Sequence, residues 1–295
     1  GGEFPAGLSE QVLTALRKTE EVMGMKYGDP ESPLLLACRS GARSSMPGMM
    51  DTVLNLGLSS ATINGMIKKT GNPRFVWDSY RRLVMMYADV VMEKAAGREP
   101  ARGEGIRKLL DDEMEVYKES RGIKEDTDLT AEDMEALAGN FKRLVESELG
   151  VPFPDDPMQQ LWGSIDAVFK SWNGRKAVSY RRIEGIPDSW GTAVNVQAMV
   201  FGNMGDTSAT GVAFTRNPAT GENTFYGEWL INAQGEDVVA GIRTPSPLND
   251  DTKNDQNRHM KSMQELMPET YKQLDTYRTN LEQHYTDMLD VEFTI

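Results

Sequence analysis

The stretch Arg39-Ser-Gly-Ala-Arg-Ser-Ser-Met-Pro-Gly-Met-Met-Asp51 follows the apolar run Leu34-Leu-Leu-Ala-Cys38. Asp-Pro and Ser-Pro turns precede the run, so it predicts a short buried strand that ends at Arg39. Backbone N–H groups freed in the following turn, with two guanidinium groups beside them, can hold phosphate oxygens. Gly41 and Gly48 would let the backbone approach a ligand closely. The pattern favours a phosphate-binding loop, with an ordinary basic loop as the alternative because Gly-rich loops alone are weak signals.

The composition limits the classes of partner. The 295 residues carry a formal net charge of −13, which argues against nucleic acid or an anionic membrane surface as the main partner. A phosphate site must therefore be a local basic pocket in an acidic protein. No apolar run reaches the length of a membrane span, and no signal peptide is visible. We expect an intracellular protein, cytoplasmic or, in a eukaryote, in an organelle such as a glycosome or plastid.

Cysteine and histidine are rare in the chain. Cys38 is the only cysteine, which excludes an internal disulfide and indicates a reducing compartment. Within the predicted strand it is expected to be a small buried hydrophobe. The only histidines, His259 and His284, lie in polar helical sequence and are expected at the surface.

The first half of the chain predicts mainly helices. Apolar residues recur at helical spacing in residues 8–25, 63–67, 75–93 and 106–117. Ser59 or Ser60 is expected to cap the second of these helices. Thr130 with Asp133 predicts a capping box for a further helix, which ends at Gly150. Residues 58–152 are therefore predicted to form a helical lobe inserted between two halves of another domain.

In the second half of the chain, the spacing of the apolar residues is that of a strand in some segments and that of a helix in others. Valine-rich or alternating apolar sequence predicts strands at residues 177–183, 193–202, 210–215 and 224–231. Helices are predicted for residues 161–172 and 254–289, with Pro268 beginning the last helix. The fold class expected from these patterns is α+β with a mixed or antiparallel sheet.

Five blocks resemble the nucleotide-binding domain of the pyruvate, phosphate dikinases, in that family's order over almost the whole chain. They are residues 39–58, Lys69-Thr-Gly-Asn-Pro-Arg-Phe75, Asp78-Ser-Tyr-Arg-Arg82, Gly191-Thr-Ala-Val-Asn-Val-Gln197 and Ile231-Asn-Ala-Gln-Gly-Glu-Asp-Val-Val-Ala-Gly241. The resemblance implies an ATP-grasp-like nucleotide-binding domain with an inserted helical lobe. Its implied parts are a first subdomain of residues 1–57 and 153–200, a helical subdomain of 58–152 and a second subdomain of 201–295.

The resemblance also implies an enzyme, a phosphotransferase with paired acceptors. In this family ATP, phosphate and pyruvate become AMP, diphosphate and phosphoenolpyruvate. This chain would bind Mg-ATP and phosphate and support phosphoryl transfer to a histidine on a separate phosphohistidine domain. A pyruvate-binding barrel is the other implied partner, and the full-length enzyme is expected to be a homodimer. Arg81 and Arg82 resemble a helix that docks the mobile domain, with ordinary helix arginines as the alternative.

Arg39 matches the family's ATP-contacting arginine and is the candidate catalytic residue. Its planar, permanently charged head suits bidentate phosphate binding. Arg43 is either a second phosphate ligand or a structural loop arginine. Ser44, Ser45 and Gly48 belong to the same loop and are candidates to donate hydrogen bonds to phosphates.

Two further segments hold candidate nucleotide contacts. An ATP-grasp fold passes a strand behind the adenine at the position of Gln197 and Met199, although a plain core strand is the alternative. Glu236 and Asp237 follow a predicted strand and a tight turn. They are candidates to support the phosphates or the metal, with ordinary surface carboxylates as the alternative.

The chain ends in Asp290-Val-Glu-Phe-Thr-Ile295. On a strand, Asp290 and Glu292 share one face. Mg²⁺ prefers one or two carboxylates together with water and substrate phosphates. A solvated strand edge is the alternative from the residues alone, whereas the resemblance implies that both carboxylates hold the Mg²⁺ of the nucleotide.

Some family features fall outside the chain. A Gly-Gly-Lys-Gly loop is expected before residue 1, and a further nucleotide-contacting strand is expected after Ile295. We therefore expect a fragment that is inactive by itself and binds nucleotide more weakly than the complete domain. The alternatives are the similar nucleotide domain of pyruvate, water dikinase (phosphoenolpyruvate synthase) and a non-catalytic docking fragment.

Overall fold

The structure is a computed structural model that describes residues 3–98, 100–101, 103–239, 243–255 and 257–295, without the side chains of Glu236 and Val239. The chain divides into two compact units, Gly1–Met199 and Val200–Ile295. Both units combine helices with antiparallel sheet, so the fold class is α+β. The finer division into residues 1–57 with 153–200, 58–152 and 201–295 stays a prediction.

The first unit contains most of the helices. Its helices are α1 (Leu8–Met23), α2 (Ile63–Thr70), α3 (Pro73–Tyr87), α4 (Ile106–Arg121), α5 (Ala131–Leu149), α6 (Pro157–Ser171) and α7 (Arg175–Glu184). Its strands are β1 (Lys26–Tyr27), β2 (Pro33–Leu34), β3 (Leu36–Gly41), β4 (Thr52–Leu56) and β5 (Ala193–Ala198). A π-helix, Ala88–Glu93, continues α3.

Strand β3 is the centre of a three-stranded antiparallel sheet in the order β4-β3-β5. Leu36 and Cys38 are buried, which confirms the expectation of a small buried side chain at Cys38. The register with β5 runs from Leu36 opposite Ala198 to Gly41 opposite Ala193. The predicted end of the strand at Arg39 is therefore wrong by two residues, because pairing with a strand far along the chain extends the ladder.

The helical part of this unit is built around α3 and α5. Phe75 and Leu83 of α3 and Leu137 and Phe141 of α5 are at most 3% exposed, which is how an amphipathic helix pair forms a core. The predicted capping box of α5 is confirmed. The Thr130 side chain accepts a hydrogen bond from the Asp133 N–H, and the Asp133 carboxylate accepts one from the Thr130 N–H.

The predicted strand at residues 177–183 is wrong, because this segment is α7. Ala177 and Arg181, four residues apart, are buried, whereas Ile183 is 80% exposed. That spacing is helical. The Arg181 guanidinium is held by Asp188, beyond the end of the helix at Gly185. The local valine and isoleucine content favoured a strand, but the burial spacing and the contact with Asp188, seven residues on, are those of a helix.

The start of α2 also differs from the prediction. Neither Ser59 nor Ser60 caps the helix, since the residue before its first turn is Thr62, whose side chain donates to the Gly57 carbonyl instead. The Ser60 N–H donates to Asp155 at 3.0 Å. These serines therefore fix the loop between β4 and α2.

The second unit contains a four-stranded antiparallel sheet in the order β8-β7-β6-β9. Its strands are β6 (Ala209–Phe214), β7 (Tyr226–Ile231), β8 (Ser246–Pro247) and β9 (Asp290–Thr294), and its helices are α8 (Gly235–Val239), α9 (Met263–Leu266) and α10 (Pro268–Tyr285). Trp229 is fully buried at the centre of the core, where Tyr271 and Leu274 of α10 pack against the same cluster. The helix predicted from residue 254 begins only at Met263, after a Ser262–Glu265 capping box.

No helix within the described ranges is long and apolar enough to cross a membrane.

Candidate functional site

Arg39 lies on the central strand of the first unit's sheet. Its neighbour Cys38 is fully buried, whereas Arg39 is exposed. In the register Arg39 stands opposite Thr52 on β4 and Asn195 on β5. Pairing with β4 and β5 therefore fixes the backbone at Arg39 on both sides, and the Arg39 side chain is exposed to solvent.

Residues 42–51 connect β3 to β4, and we call them the phosphate loop. The Met49 N–H donates to the Met46 carbonyl at 3.1 Å across Pro47 and Gly48, and Gly48 has a φ of 69°. These are the features of a type II turn, which takes Pro at its second position and Gly at its third. A Cβ at Gly48 would meet nothing within 4 Å. The positive φ, rather than space, is what requires glycine here.

The first part of the phosphate loop presents several backbone donors. Within the described residues, the N–H groups of residues 43–46 have no hydrogen-bond acceptor in the protein. Ser44 is half-buried and Ser45 exposed, and their hydroxyls likewise have no described partner. Consecutive free N–H groups beside an arginine are the chemistry of an anion-binding turn.

The phosphate loop is attached to the helices behind it. Met46 is 6% exposed and forms a small core with Trp172 and Ala177. At the end of the loop the Asp51 N–H donates to the Ser171 hydroxyl at 3.2 Å. The Asp51 carboxylate forms an ion pair with Lys94. The loop is therefore fixed at its middle and at its end, while Arg43 and Ser45 are exposed.

Arg43 makes an aromatic contact. Its guanidinium carbon lies 4.8 Å from the centroid of the Trp190 ring, within the range of a cation–π interaction. The two interpretations of Arg43, phosphate ligand or structural arginine, both stay predictions. Trp190 itself was missed by sequence reasoning, where its only signal was a tryptophan just before the block that begins at Gly191.

The two candidate adenine contacts lie at the end of β5. Gln197 is exposed and stands opposite Ala37. The Met199 N–H donates to the Leu35 carbonyl at 3.0 Å, and its sulfur accepts from the Asn55 N–H at 3.0 Å. Met199 thus continues the pairing beyond the strand, and its role toward a base stays a prediction.

The arginines proposed for docking differ from each other. Arg81 is 5% exposed and donates to the buried carboxylate of Asp78 at 2.7 Å and 3.2 Å. This burial corrects the expectation for Arg81, since a guanidinium inside the helical core offers no docking surface. Arg82 is half-buried and donates to the other Asp78 oxygen at 3.0 Å. Asp78, which organises both arginines, was missed by sequence reasoning.

Asp290 and Glu292 lie on β9 at the edge of the second unit's sheet. Both are exposed, whereas Val291 and Phe293 point to the core side, so the predicted alternation is confirmed. Glu228 on β7 and Glu292 both stand opposite Val212 of β6, which places a third carboxylate on this face. Two strand spacings, about 10 Å, separate it from Glu292.

The two carboxylates, Asp290 and Glu292, suit the type of Mg²⁺ site that has few protein ligands. Within the described residues no group of three or more Asp, Glu, His or Cys side chains is placed to hold a metal ion. Mg²⁺ needs only one or two carboxylates when water and phosphate complete its shell. Asp290 and Glu292 meet that requirement, and their role stays a prediction.

The turn at residues 234–237 begins α8. The Asp237 carboxylate accepts a hydrogen bond from the Gln234 N–H at 2.9 Å, so it stabilises its own turn. The side chain of Glu236 lies outside the described residues, and its predicted role is untested. The Gln234 amide is 7% exposed, and neither of its polar atoms has a partner in the described structure.

His259 and His284 are both exposed. The expectation that they are surface residues is confirmed.

Comparison with known proteins identifies the chain's relatives. The model of the family "Pyruvate phosphate dikinase, AMP/ATP-binding domain" matches residues 2–256. The chain is 51% identical over 296 residues to pyruvate, phosphate dikinase of Clostridium symbiosum, covering all of this chain and 31% of that protein. It is 50% identical to the enzyme of Rhizobium meliloti (strain 1021), covering 32% of it, and 50% identical to the chloroplastic pyruvate, phosphate dikinase 1 of Zea mays, covering 29%.

The match covers every block on which the sequence resemblance rested. The chain spans about a third of the length of these curated relatives. On this evidence the chain belongs to the pyruvate phosphate dikinase AMP/ATP-binding domain family.

Proposed function

We propose that this chain is the nucleotide-binding part of a pyruvate, phosphate dikinase and binds Mg-ATP through an ATP-grasp-like fold. One observation carries the proposal. The N–H groups of residues 43–46 have no acceptor in the described protein, and the exposed Arg39 lies just before them on the central strand. Phosphate oxygens satisfy such donors, and a guanidinium adds charge-assisted hydrogen bonds.

The chain has candidate residues for each part of Mg-ATP: the phosphates, the base and the metal ion. Arg39, Arg43, Ser44, Ser45 and the Gly48 turn are proposed to hold phosphates. Gln197 and Met199 are proposed to contact the base, and Glu236 and Asp237 to support phosphates or metal. Asp290 and Glu292 would hold Mg²⁺, which supplies neutralisation of phosphate charge. Phosphoryl transfer depends mostly on such positioning and charge neutralisation.

The rest of the reaction belongs to the longer proteins. We propose that the complete enzyme converts ATP, phosphate and pyruvate to AMP, diphosphate and phosphoenolpyruvate, with a phosphohistidine domain and a pyruvate-binding barrel as partners of this part. Arg82, which is half-buried at the surface of α3, is the remaining candidate for docking the phosphohistidine domain. We expect no phosphoenolpyruvate formation by this chain alone.

The test is the shift in melting temperature on addition of Mg-ATP. A ligand that binds only the folded state stabilises it by about 2.7 kcal/mol at a concentration 100 times its Kd. We expect a rise that is smaller with Mg-ADP and smaller again with ATP plus a chelator. No shift at millimolar Mg-ATP would refute nucleotide binding by this chain.

The magnesium site gives a second prediction. In Asp290→Asn/Glu292→Gln, the difference between ATP with Mg²⁺ and ATP with chelator is expected to disappear, because neutral amides are poor Mg²⁺ ligands. The matched control is Asp255→Asn/Glu269→Gln, which makes the same charge change at two exposed positions of the second unit. A retained magnesium dependence in the first variant would remove the metal from β9.

Arg39→Lys gives a third prediction. We expect Mg-ATP to bind roughly tenfold more weakly, since lysine keeps the charge but loses the planar two-pronged donor set. Arg17→Lys in α1, where the arginine is exposed, is the control and should bind as the wild type does. Calorimetric titration measures both, and equal affinities would show that Arg39 contributes charge alone.

A further inference from the structure

The phosphate loop rests on a set of aromatic and charged side chains that lie far from it in sequence. Trp172 lies just beyond the end of α6, Arg181 is on α7, and Asp188 and Trp190 bound a short 3₁₀ helix, Asp188–Trp190. We call these four residues the loop clamp. Among the described hydrogen bonds, none joins these four residues to the N–H groups of residues 43–46, so those donors stay available to a ligand.

The clamp holds together through Asp188. Its carboxylate accepts from Arg181 Nε at 2.9 Å and Nη2 at 2.7 Å, and its carbonyl accepts from the Trp172 indole N–H at 3.2 Å. Arg181 is 2% exposed and lies 4.0 Å above the Trp172 ring centroid. A buried guanidinium with a carboxylate, a carbonyl and an aromatic face as partners has little freedom. These contacts join Trp172, Arg181 and Asp188, and Trp190 follows on the same 3₁₀ helix as Asp188.

The clamp contacts the loop at the first and last residues of the run that carries the free N–H groups. Met46 packs against Trp172 in the buried cluster, and Arg43 stacks on Trp190 at 4.8 Å. Residues 43–46 carry the free N–H groups, so both contacts lie at the ends of the donor run. Fixing both ends of a short segment limits its backbone conformations and reduces the entropy lost when a ligand orders it.

We propose that Trp190 is a positioning residue, which holds the phosphate loop in its phosphate-accepting conformation by stacking on Arg43 from the short 3₁₀ helix that also carries Asp188. The inference rests on the proposed function, because it assigns a role in positioning the phosphates of a bound nucleotide. In this arrangement Arg43 can also bind phosphate, because a guanidinium stacked on an aromatic ring keeps the N–H groups at its edge available.

The first experiment needs no nucleotide. Trypsin cleaves after arginine, so limited digestion of the folded protein reports the mobility of the chain at Arg43. Trp190→Leu is expected to speed cleavage after Arg43 several-fold, while Trp190→Phe, which keeps an aromatic face, stays near the wild-type rate. The control is Trp162→Leu, which removes a tryptophan whose ring packs at a tilt against Phe4, with the ring centroids 5.6 Å apart. Because Trp190 is 42% exposed, the urea midpoint for unfolding of Trp190→Leu is expected to lie close to that of the wild type.

The second experiment measures Mg-ATP affinity in the same variants by calorimetry. We expect Trp190→Leu to bind about fivefold more weakly, the effect of losing an exposed cation–π contact, and Trp190→Phe to restore most of the affinity. Unchanged cleavage after Arg43 in Trp190→Leu would overturn the clamp whether or not Mg-ATP binds. Faster cleavage with unchanged affinity would overturn its role in positioning. Faster cleavage in a protein whose wild type gives no Mg-ATP shift would support the clamp and refute the proposed function.

Discussion

Asp78→Asn is expected to lower the free energy of unfolding by about 3 kcal/mol at neutral pH, since breaking a buried ion pair leaves an uncompensated charge. Asp78 is 7% exposed and Arg81 is 5% exposed. One Asp78 oxygen accepts from Arg81 at 2.7 Å and the other from Arg82 at 3.0 Å. The asparagine keeps the shape but removes the charge, so the Arg81 guanidinium stays buried without its carboxylate.

The pH dependence of that loss follows from the pKa of Asp78. Burial alone would raise this pKa, but the charges and hydrogen bonds of Arg81 and Arg82 outweigh burial and hold it below the usual value. A carboxyl whose folded pKa is lowered stabilises the fold above its unfolded pKa, about 4, and loses that contribution as pH falls through the folded pKa. The difference between wild type and Asp78→Asn is therefore expected to be full at pH 7 and to shrink below about pH 4.

Urea unfolding at several pH values measures this difference. The matched control is Asp166→Asn, which removes the exposed helix partner of Lys170, 2.6 Å away. An exposed pair of this kind is expected to contribute less than about 0.5 kcal/mol. Losses of equal size in the two variants, or a loss at Asp78 that does not vary with pH, would contradict the assignment of a buried charge network to α3.

Local chemistry made part of the fold and site predictable. The Thr130–Asp133 capping box and the alternation of Asp290 and Glu292 with apolar residues each depend on residues within a few positions of one another. The turn at Pro47 and Gly48 is of the same kind, because its type follows from two adjacent residues. Such patterns can be recognised from residues that lie within a few positions of one another.

Other features depended on burial and on contacts that the pattern of apolar residues does not predict. The segment of α7 resembled a strand until Arg181 met Asp188 and Trp172. Arg81 resembled a surface arginine until the fold placed Asp78 and its helix in the core. The contact of Arg43 with Trp190 spans almost 150 residues of sequence. Residue spacing carries no information about which helix face is buried or about contacts between distant segments, because both depend on the folded chain.

Gly65→Ala is expected to destabilise the protein by about 1–3 kcal/mol, the usual range for forcing an extra methyl group into packed structure. Gly65 is buried in α2, where an added Cβ would overlap the Pro30 carbonyl oxygen and lie 2.9 Å from the Glu31 carbonyl carbon. Both obstacles are backbone atoms, so no side-chain rotation relieves the overlap. The segment they belong to leads directly into β2 and β3.

The sign of this effect separates packing from helix propensity. In a helix interior, alanine is intrinsically better than glycine by roughly 0.5–1 kcal/mol. Gly139 in α5 has only the Arg143 guanidinium at 4.0 Å from its built Cβ, so Gly139→Ala is expected to gain that amount. Urea unfolding of the two variants should therefore shift in opposite directions. Stabilisation by Gly65→Ala would mean that α2 does not pack on residues 30–31, and that the strand carrying Arg39 lacks this support.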